Sequence, residues 1–393
     1  MTAPHRDSSS TSTSGDDHVG GRRLRVCLVV PGFSTSAGDG CIPALRAFAV
    51  GLGRTHDVTV ISLRYPHTRT PYDLDGVRVL PLGGAFVTGP RRMRLLATAA
   101  ATVLRAGPFD VVHGLWADEP GVVAALAGRA LGAKTLVSFM GGELAALPAI
   151  PYGGARERLG PQLVRTAVGL ADRITVGSPW LQGRLPEPWR AKSSVLGLAV
   201  HGAQLRGRQR EPAAPLRVGL VASLLPVKAP GLLIAAAALV ARRGVPLDVR
   251  IIGDGPLAER LTDQARRLRV PVCFTGAVPF VQLNAELCGL DVVVQTSWWE
   301  SQGMAVLEAA ATGCAVIGTD VGALASLDSA LARTPPGDVS ALADALLRAA
   351  GDRAGTHAAG RAAAVEVARV YSVDRHLARW RALVDAPGRP NTD

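Results

Sequence analysis

Hydrophobic positions along the chain fall into two kinds of segment that alternate. Short, nearly continuous apolar runs are followed by longer segments in which apolar residues recur at helical spacing. The first pattern is typical of buried parallel strands and the second of amphipathic helices. In the first half this predicts strands at 23–30, 57–62, 77–82, 110–113, 134–139 and 173–176, and helices at 42–53, 91–106, 120–131 and 157–170.

The second half repeats the pattern after an irregular basic segment that contains two prolines, residues 201–215. Such a segment without periodicity predicts a linker. Strands are then predicted at 216–222, 247–252, 291–296 and 315–318, and helices at 231–242, 304–311, 339–350, 357–370 and 372–384. Alternating strands and helices indicate an α/β fold with doubly wound parallel sheets.

The domain organisation follows from these patterns and from chain length. A chain of 393 residues exceeds one ordinary core and favours two domains. We predict a disordered tail at 1–21, which is rich in Ser, Thr, Asp and Gly. An N-terminal domain at 22–201, a linker at 202–215 and a C-terminal domain at 216–371 follow, and residues 372–393 form a final helix and tail.

Amino-acid composition limits the classes of molecule that this protein is expected to bind. The net charge is +11, from 43 basic and 32 acidic residues, and it suits an anionic membrane surface, nucleic acid or a phosphate-bearing substrate. The basic residues are dispersed and aromatic residues make up only 4% of the chain. Since RNA-binding surfaces interleave basic and aromatic side chains, we predict no nucleic-acid partner.

The cysteines and the apolar runs indicate the cellular compartment in which the protein is expected to work. Five cysteines are scattered without paired spacing, which favours free thiols in a reducing compartment. No apolar stretch follows a charged start at the N-terminus, and no run reaches membrane-spanning length. We therefore predict a cytoplasmic protein, with peripheral contact at the inner membrane face left open.

The most informative stretch runs from Glu300 to Glu308. Glu300 follows a predicted strand, and Glu308 lies eight residues later, inside the predicted helix Met304–Ala311. The start of that helix presents unpaired amides and positive potential, which suits a phosphate, and Gly303 permits close approach. Alternatively, Glu300 is a helix-start acid matched to the helix dipole and Glu308 a solvated surface residue.

Loops after three predicted strands of the first half are further candidates, because ligands of doubly wound sheets bind beyond the carboxyl ends of the strands. The first is glycine-rich and contains Gly38, Asp39 and Gly40; a flexible turn is the alternative. His113 ends another strand and is either functional or structural. The third loop contains Gly141 and Glu143.

In the second half, Lys228 stands between a strand and a helix, where an ammonium group can meet a diphosphate; an exposed lysine at a helix start is the alternative. The run GDGP at 253–256 superficially fits a dinucleotide fingerprint. Pro256 follows the second glycine directly, and no acidic residue ends a second strand at the usual spacing. We therefore do not interpret this run as a dinucleotide site.

These residues resemble the group 1 family of retaining GT-B glycosyltransferases, which carries a Glu-x7-Glu motif. The resemblance covers most of 23–386 and is strongest at 216–327. It implies two Rossmann-like domains around an interdomain cleft, with a final helix that crosses back onto the first domain. It also implies a nucleotide-sugar donor, mainly on the second domain, and an unknown small-molecule, glycan or lipid acceptor, mainly on the first. No metal or other cofactor is implied.

The resemblance assigns roles to individual residues. Glu300 would lie at the donor sugar and Glu308 at the nucleotide ribose, while Gly303, Met304 and Lys228 would hold the diphosphate. Ser223 stands where the family usually has arginine, and Met140 stands where many members have histidine. The remaining implied positions are Gly253, Gly255 and Val278 in the nucleotide pocket, Gly38, Asp39 and Gly40 in the phosphate or acceptor loop, Gly141 and Glu143 near the sugar or acceptor, and His113 as a substitute for the usual histidine.

Three alternatives stay open at this point. The departures at Ser223 and Met140 fit an auxiliary GT-B protein that binds a nucleotide sugar without transferring it. A sugar-nucleotide epimerase is a second alternative, which the Glu300–Glu308 context disfavours. A Rossmann dehydrogenase is the third, and the absence of NAD binding would exclude it.

Overall fold

The computed structural model describes residues 22–36, 38–84, 87–200 and 215–386. The predicted tail at 1–21 and all but one residue of the predicted linker at 202–215 lie outside this range. The described chain forms two α/β domains, each built on its own sheet. This confirms the predicted fold class.

The first sheet has the strand order β3-β4-β2-β1-β5-β6-β7-β8. Its pairings are parallel except that β3 runs antiparallel to β4. The buried central strands consist mostly of Val, Leu and Ile, as expected for a sheet covered on both faces. Within the described residues its eight strands are β1 (Arg25–Gly32), β2 (Asp57–Tyr65), β3 (Tyr72–Leu74), β4 (Val77–Pro81), β5 (Val111–Leu115), β6 (Lys134–Phe139), β7 (Arg173–Val176) and β8 (Ser193–Val195).

The second sheet has the strand order β11-β10-β9-β12-β13-β14 and is parallel throughout. The order reverses direction at β9 and β12, which places a switch point between these neighbours, where such sheets bind ligands. Its strands are β9 (Leu216–Val221), β10 (Leu247–Ile252), β11 (Val272–Gly276), β12 (Val292–Gln295), β13 (Ala315–Thr319) and β14 (Ala332–Thr334).

Helices cover both faces of each sheet. The first domain contains α1 (Pro43–Gly53), α2 (Gly89–Ala106), α3 (Glu119–Ala130), α4 (Gly160–Leu170), α5 (Pro179–Gln182) and α6 (Glu187–Arg190). The later helices are α7 (Gly231–Arg242), α8 (Ala258–Leu268), α9 (Phe280–Cys288), α10 (Met304–Ala311), α11 (Val339–Gly351), α12 (Arg353–Tyr371) and α13 (Val373–Asp385).

Helix α13 packs on the first domain, although it follows the second in sequence. Its Trp380 is fully buried in the core of the first domain and lies 6.3 Å from the ring of Phe48. Lys134 donates to the carbonyl of Val384 at 2.5 Å. The C-terminal helix therefore returns the chain from the second domain to the first.

Helix length and hydropathy in the described part of the chain bear on whether it could cross a membrane. None of the helices in residues 22–386 that the structure describes combines the length and the hydropathy needed to span a bilayer.

Candidate active site

A cleft of about 650 Å³ lies between the two domains, beyond the carboxyl ends of the strands. The second domain contributes most of its lining, through the ends of β9, β10 and β12 and the start of α10. Gly40, Trp116, Met140 and Leu198 line it from the first domain. Eight predicted site positions line this cleft: Gly40, Ser223, Lys228, Gly253, Val278, Glu300, Gly303 and Met304.

Lys228 and Glu300 form an ion pair within the cleft. The Nζ atom of Lys228 lies 2.6 Å from Oε1 of Glu300, and the hydroxyl of Ser297 donates to the same oxygen at 2.6 Å. The hydroxyl of Thr296 donates to the carbonyl of Lys228, which fixes the backbone of the lysine. Residues 72 positions apart are thus brought together at the end of β12. Both side chains remain partly exposed, at 27% and 13%, so a ligand in the cleft can contact them.

The N-terminus of α10 opens into the same space. Gly303 precedes the helix with a φ of +89°, a left-handed conformation that glycine tolerates. A Cβ atom there would lie 2.7 Å from Oε1 of Gln295, so a side chain would not fit. Among the described residues, no hydrogen bond satisfies the amides of Gly303 and Met304, which line the cleft. The positive end of the helix dipole therefore faces a space next to Lys228.

Glu308 lies one turn further along α10 than Met304, on the same side of the helix. It is half-buried, and its carboxyl forms no hydrogen bond or ion pair within the described residues. Burial raises its pKa to about 7. Glu308 is not among the residues that line the open cleft, which ends at Val306 along this helix.

The turn after β10 requires glycine. Gly253 has a φ of +135°, and a Cβ atom would lie 2.0 Å from the carbonyl oxygen of Ala222. This close packing lets the backbone form the wall beside Ser223 and Val278. Gly255, two residues later, packs against Leu224 and is not among the lining residues.

The glycine-rich loop after β1 is held by Asp39. The Asp39 carboxylate accepts hydrogen bonds from the backbone amides of Thr35 and Cys41 and from the hydroxyls of Thr35 and Tyr65. Burial raises the pKa of Asp39, but these hydrogen bonds outweigh burial and hold it below its usual value. Asp39 therefore stabilises the loop that brings Gly40 to the cleft. Gly38 is not among the lining residues.

The prediction for His113 requires correction, because the structure places this residue in the core. It is 1% exposed on β5, with Nε2 2.7 Å from the hydroxyl of Ser138 and Nδ1 accepting from the indole of Trp380 at 3.3 Å. Burial, and then the nearby His376, lower its pKa to about 3. Both ring nitrogens are occupied and His113 does not line the cleft, so its structural alternative is the correct one.

Glu143 borders a second cavity rather than the main cleft, and Gly141 lines neither space. Glu143 is 5% exposed and accepts from the backbone amides of Ala117, Met140 and Gly141 at 2.7–3.1 Å. Burial raises its pKa above its usual value despite these hydrogen bonds. Gly141 lacks room for a side chain, because a Cβ atom would lie 2.9 Å from Nε1 of Trp116.

The segment that carries Glu300 is attached to the first domain through Gln302. The Gln302 amide is 4% exposed; it donates to the carbonyl of Leu198 and accepts from its amide, both at 2.7 Å. Gly177 and Gly197 leave room for it, since a Cβ atom at either would lie 2.8 or 2.5 Å from this side chain. The segment that carries Glu300 is therefore fixed directly to the facing domain.

Two family models match this chain. The model for glycosyl transferases group 1 matches residues 215–352, and the model for the glycosyl transferase 4-like domain matches residues 39–194. The chain belongs to the group 1 glycosyltransferases. This confirms the family suggested by the sequence, and the second-domain match contains Lys228, Glu300 and Glu308.

Curated glycosyltransferases resemble parts of the chain. A 2-deoxystreptamine N-acetyl-D-glucosaminyltransferase of Streptomyces fradiae is 37% identical over 107 residues, which is 26% of this chain and 24% of the relative. A D-inositol 3-phosphate glycosyltransferase of Nocardia farcinica is 34% identical over 223 residues, which is 51% of this chain and 46% of the relative. The chain thus matches about half or less of the length of these relatives.

Solved structures share the fold of this group 1 glycosyltransferase over nearly its whole length. Anabaena HepE in complex with UDP and glucose has a TM-score of 0.70 at 16% identity, covering 93% of this chain and 100% of that one. Sucrose-phosphate synthase of Thermosynechococcus elongatus has a TM-score of 0.73 at 17% identity, covering 91% and 98%.

Sequence reasoning missed several residues that shape the site of this glycosyltransferase. Gln302 is one of them, because a glutamine two residues after a glutamate has no recognisable motif spacing. Asp118 and Tyr152 line the second cavity and were not predicted. The strand-end position of Trp116 was the one available indication for that region, and its φ of +84° marks an unusual backbone.

Proposed function

We propose that this protein transfers a hexose from a nucleotide sugar to an acceptor hydroxyl, with retention of anomeric configuration and without a metal ion. The observation that carries the proposal is the Lys228–Glu300 ion pair at the start of α10, inside the interdomain cleft. A cation and open helix amides face one space there, which suits a diphosphate.

Lys228 and the start of α10 would stabilise the leaving diphosphate. Charge develops on its bridging oxygen as the glycosidic bond breaks, and fixed donors are most effective where charge develops. Lys228 is held beside that space at 2.6 Å from Glu300, and the amides of Gly303 and Met304 face it. These groups supply the positive potential that a metal ion provides in other sites, which supports metal-independent transfer.

Glu300 and Glu308 would hold the two ends of the donor. Glu300 lies in the cleft, where its carboxylate can accept from sugar hydroxyls. Glu308 lies deeper along α10 and forms no ion pair within the described chain, so the diol of the ribose would supply the donors that it lacks. UDP is the first nucleotide to test, because structures of HepE contain it.

In the proposed step the acceptor oxygen bonds to the anomeric carbon on the face from which the diphosphate departs. The bond from that carbon to the diphosphate oxygen breaks, and its electron pair stays on the nucleoside diphosphate. The hydroxyl proton passes to the departing oxygen. No side chain forms a covalent intermediate, and His113 has no part in the step.

The test is transfer from UDP-glucose, UDP-N-acetylglucosamine and GDP-mannose to a panel of hydroxyl acceptors in EDTA. We expect product from one donor, with an α linkage shown by the H1–H2 proton coupling for a glucose-type sugar or by the one-bond C1–H1 coupling for mannose. A β-linked product would contradict retention, and loss of activity in EDTA that magnesium restores would contradict metal independence.

One observation favours an auxiliary protein that binds a nucleotide sugar without transfer. Lys228 is the one basic side chain among the described residues that line the cleft, and Ser223 lines it without a guanidinium. Nucleotide binding without transfer across the full panel would support this alternative. Cytoplasmic location and contact with a membrane surface stay predictions.

A further inference from the structure

The second cavity lies in the first domain, next to the cleft, with a volume of about 400 Å³. Trp116 lines both spaces, so the cavity opens beside the proposed donor site. The charge of Glu300 contributes to the raised pKa of Tyr152, after burial, which places this phenol near Glu300. A molecule in this cavity would therefore lie at the reacting end of a donor, where the proposed function requires the acceptor.

The walls of the cavity are aromatic because neighbouring glycines make room for the rings. A Cβ atom at Gly142 would lie 2.6 Å from the hydroxyl of Tyr152, and one at Gly141 would lie 2.9 Å from Nε1 of Trp116. Tyr152 stays neutral over the working range, since burial and then Glu300 raise its pKa to about 12. An indole and a phenol offer faces that attract cations.

The charged groups of the cavity are mainly carboxylates. Three acidic side chains line it, those of Asp118, Glu143 and Glu157, against a single guanidinium, that of Arg156. That guanidinium donates to two backbone carbonyls at 2.5 and 3.1 Å. An acid-lined pocket is unexpected on a chain with a net charge of +11, and it repels anionic acceptors.

Among the carboxylates of the cavity, Asp118 has the least stabilisation of its negative charge by neighbouring groups. It forms no ion pair within the described part of the chain, whereas Glu157 lies 3.3 Å from Arg92. Burial, then Glu143, then Glu119 raise the pKa of Asp118 to about 7, and these effects outweigh the opposing ones of a hydrogen bond from the Glu119 amide and of the Arg92 charge. A cation in the cavity would favour its ionised form and reverse this effect.

We propose that this cavity selects an acceptor that carries a protonated amine, an amino sugar or aminocyclitol, whose ammonium group contacts Asp118 and the face of Trp116. The inference rests on the proposed function and names the chemical class of its acceptor. A hydroxyl of the same molecule, not the amine, receives the sugar. Tyr152 and Glu157 complete a pocket that binds neutral polyols more weakly and anionic ones least.

The test is calorimetric titration of the full chain, saturated with whichever nucleotide binds, using matched ligands. The amines are glucosamine and 2-deoxystreptamine; the controls are glucose, N-acetylglucosamine, inositol and inositol 3-phosphate. We expect the amines to bind at least about tenfold more tightly than their neutral counterparts, a difference of one ammonium contact. Asp118→Asn should remove that preference and leave glucose binding unchanged.

Two further variants keep the test decisive if Asp118→Asn folds poorly. Glu157 is 57% exposed, so Glu157→Gln will fold and should reduce the preference for amines about twofold to threefold. Glu187→Gln, at a 75% exposed carboxylate of the same domain that lines neither space, is the matched control and should not change it. Equal binding of amines and neutral ligands, or tighter binding of inositol 3-phosphate, would overturn this inference and leave the proposed function intact. Failure of every nucleotide to bind would instead overturn the proposed function and this inference with it.

Discussion

The cleft and the second cavity beside it differ in how their charged groups are paired. On the second domain, Glu300 meets Lys228 at 2.6 Å, so its charge is compensated within the protein. On the first domain, Asp118 has no such partner among the described residues and lies near other carboxylates. A ligand can take the place of one partner of an ion pair during a reaction without leaving a bare charge. A carboxylate without a partner instead favours a ligand that carries a positive charge. Under the proposed function, this difference corresponds to donor chemistry in the cleft and acceptor choice in the second cavity.

Removal of the Lys228 cation from the cleft should have the largest effect on activity. Lys228→Ala leaves Glu300 partly buried without its partner and removes the cation beside the diphosphate space. We expect turnover to fall by about 10²–10³, with a smaller change in donor KM. Steady-state kinetics with the best donor and acceptor measure this. Arg242→Ala, on the exposed surface of the same domain, is the control, and wild-type turnover in Lys228→Ala would remove the lysine from the mechanism.

Weakening the contact between the two domains at Gln302 should have the next largest effect on activity. Gln302→Leu leaves the amide and carbonyl of Leu198 unpaired in a buried interface, which costs about 1–3 kcal/mol. We expect hydrogen exchange at Leu198 to accelerate and turnover to fall on the order of tenfold, because the segment carrying Glu300 loses one attachment and keeps only the hydrogen bonds of its neighbouring residues to the first domain. Nucleotide affinity should change little. Slow exchange at Leu198 in this variant would show that the attachment has no role.

Glu308 should produce a smaller effect that depends on pH. Its pKa in the folded protein is raised to about 7, so the stability it contributes is present at low pH and is lost as pH rises through 7. A ribose diol prefers the ionised carboxylate, so nucleotide affinity should rise by up to about tenfold per unit as pH approaches 7 and then level off.

Glu308→Gln should remove this pH dependence and leave the weaker affinity found at low pH. Titration of the nucleotide between pH 5.5 and 8.5, about 1.5 units either side of the pKa of about 7, measures both proteins under the same conditions. An identical pH profile in wild type and variant would place the titrating group elsewhere.

His113 should produce the smallest effect on activity. His113→Leu removes hydrogen bonds to Ser138 and Trp380 in the core, and we expect a loss of stability of about 1–3 kcal/mol. Turnover should stay within about twofold of wild type, because the residue does not line the cleft. Denaturant unfolding and kinetics on the same preparation compare the two quantities. A loss of turnover like that expected for Lys228→Ala would restore a catalytic role.

The same contrast explains which parts were predictable from sequence. Strand and helix order follows from local periodicity, and Lys228, Glu300 and Gly303 lie at strand-to-helix turns, where local chemistry indicates a ligand. His113 occupies a similar strand end, but burial by Trp380 of α13, 267 residues later, makes it structural. Asp118 and Tyr152 come together only through loop packing. The short antiparallel strand Tyr72–Leu74 was also missed, since three residues carry too little pattern.

The central claim is a metal-independent nucleotide site at the start of α10. Thermal unfolding in EDTA with UDP, GDP, ADP and dTDP tests it most directly. One nucleotide should raise the melting temperature, equivalent to about 2.7 kcal/mol at a concentration of 100 times Kd, and Glu308→Ala should reduce the shift. No shift with any nucleotide, or a shift that requires magnesium, would contradict the account.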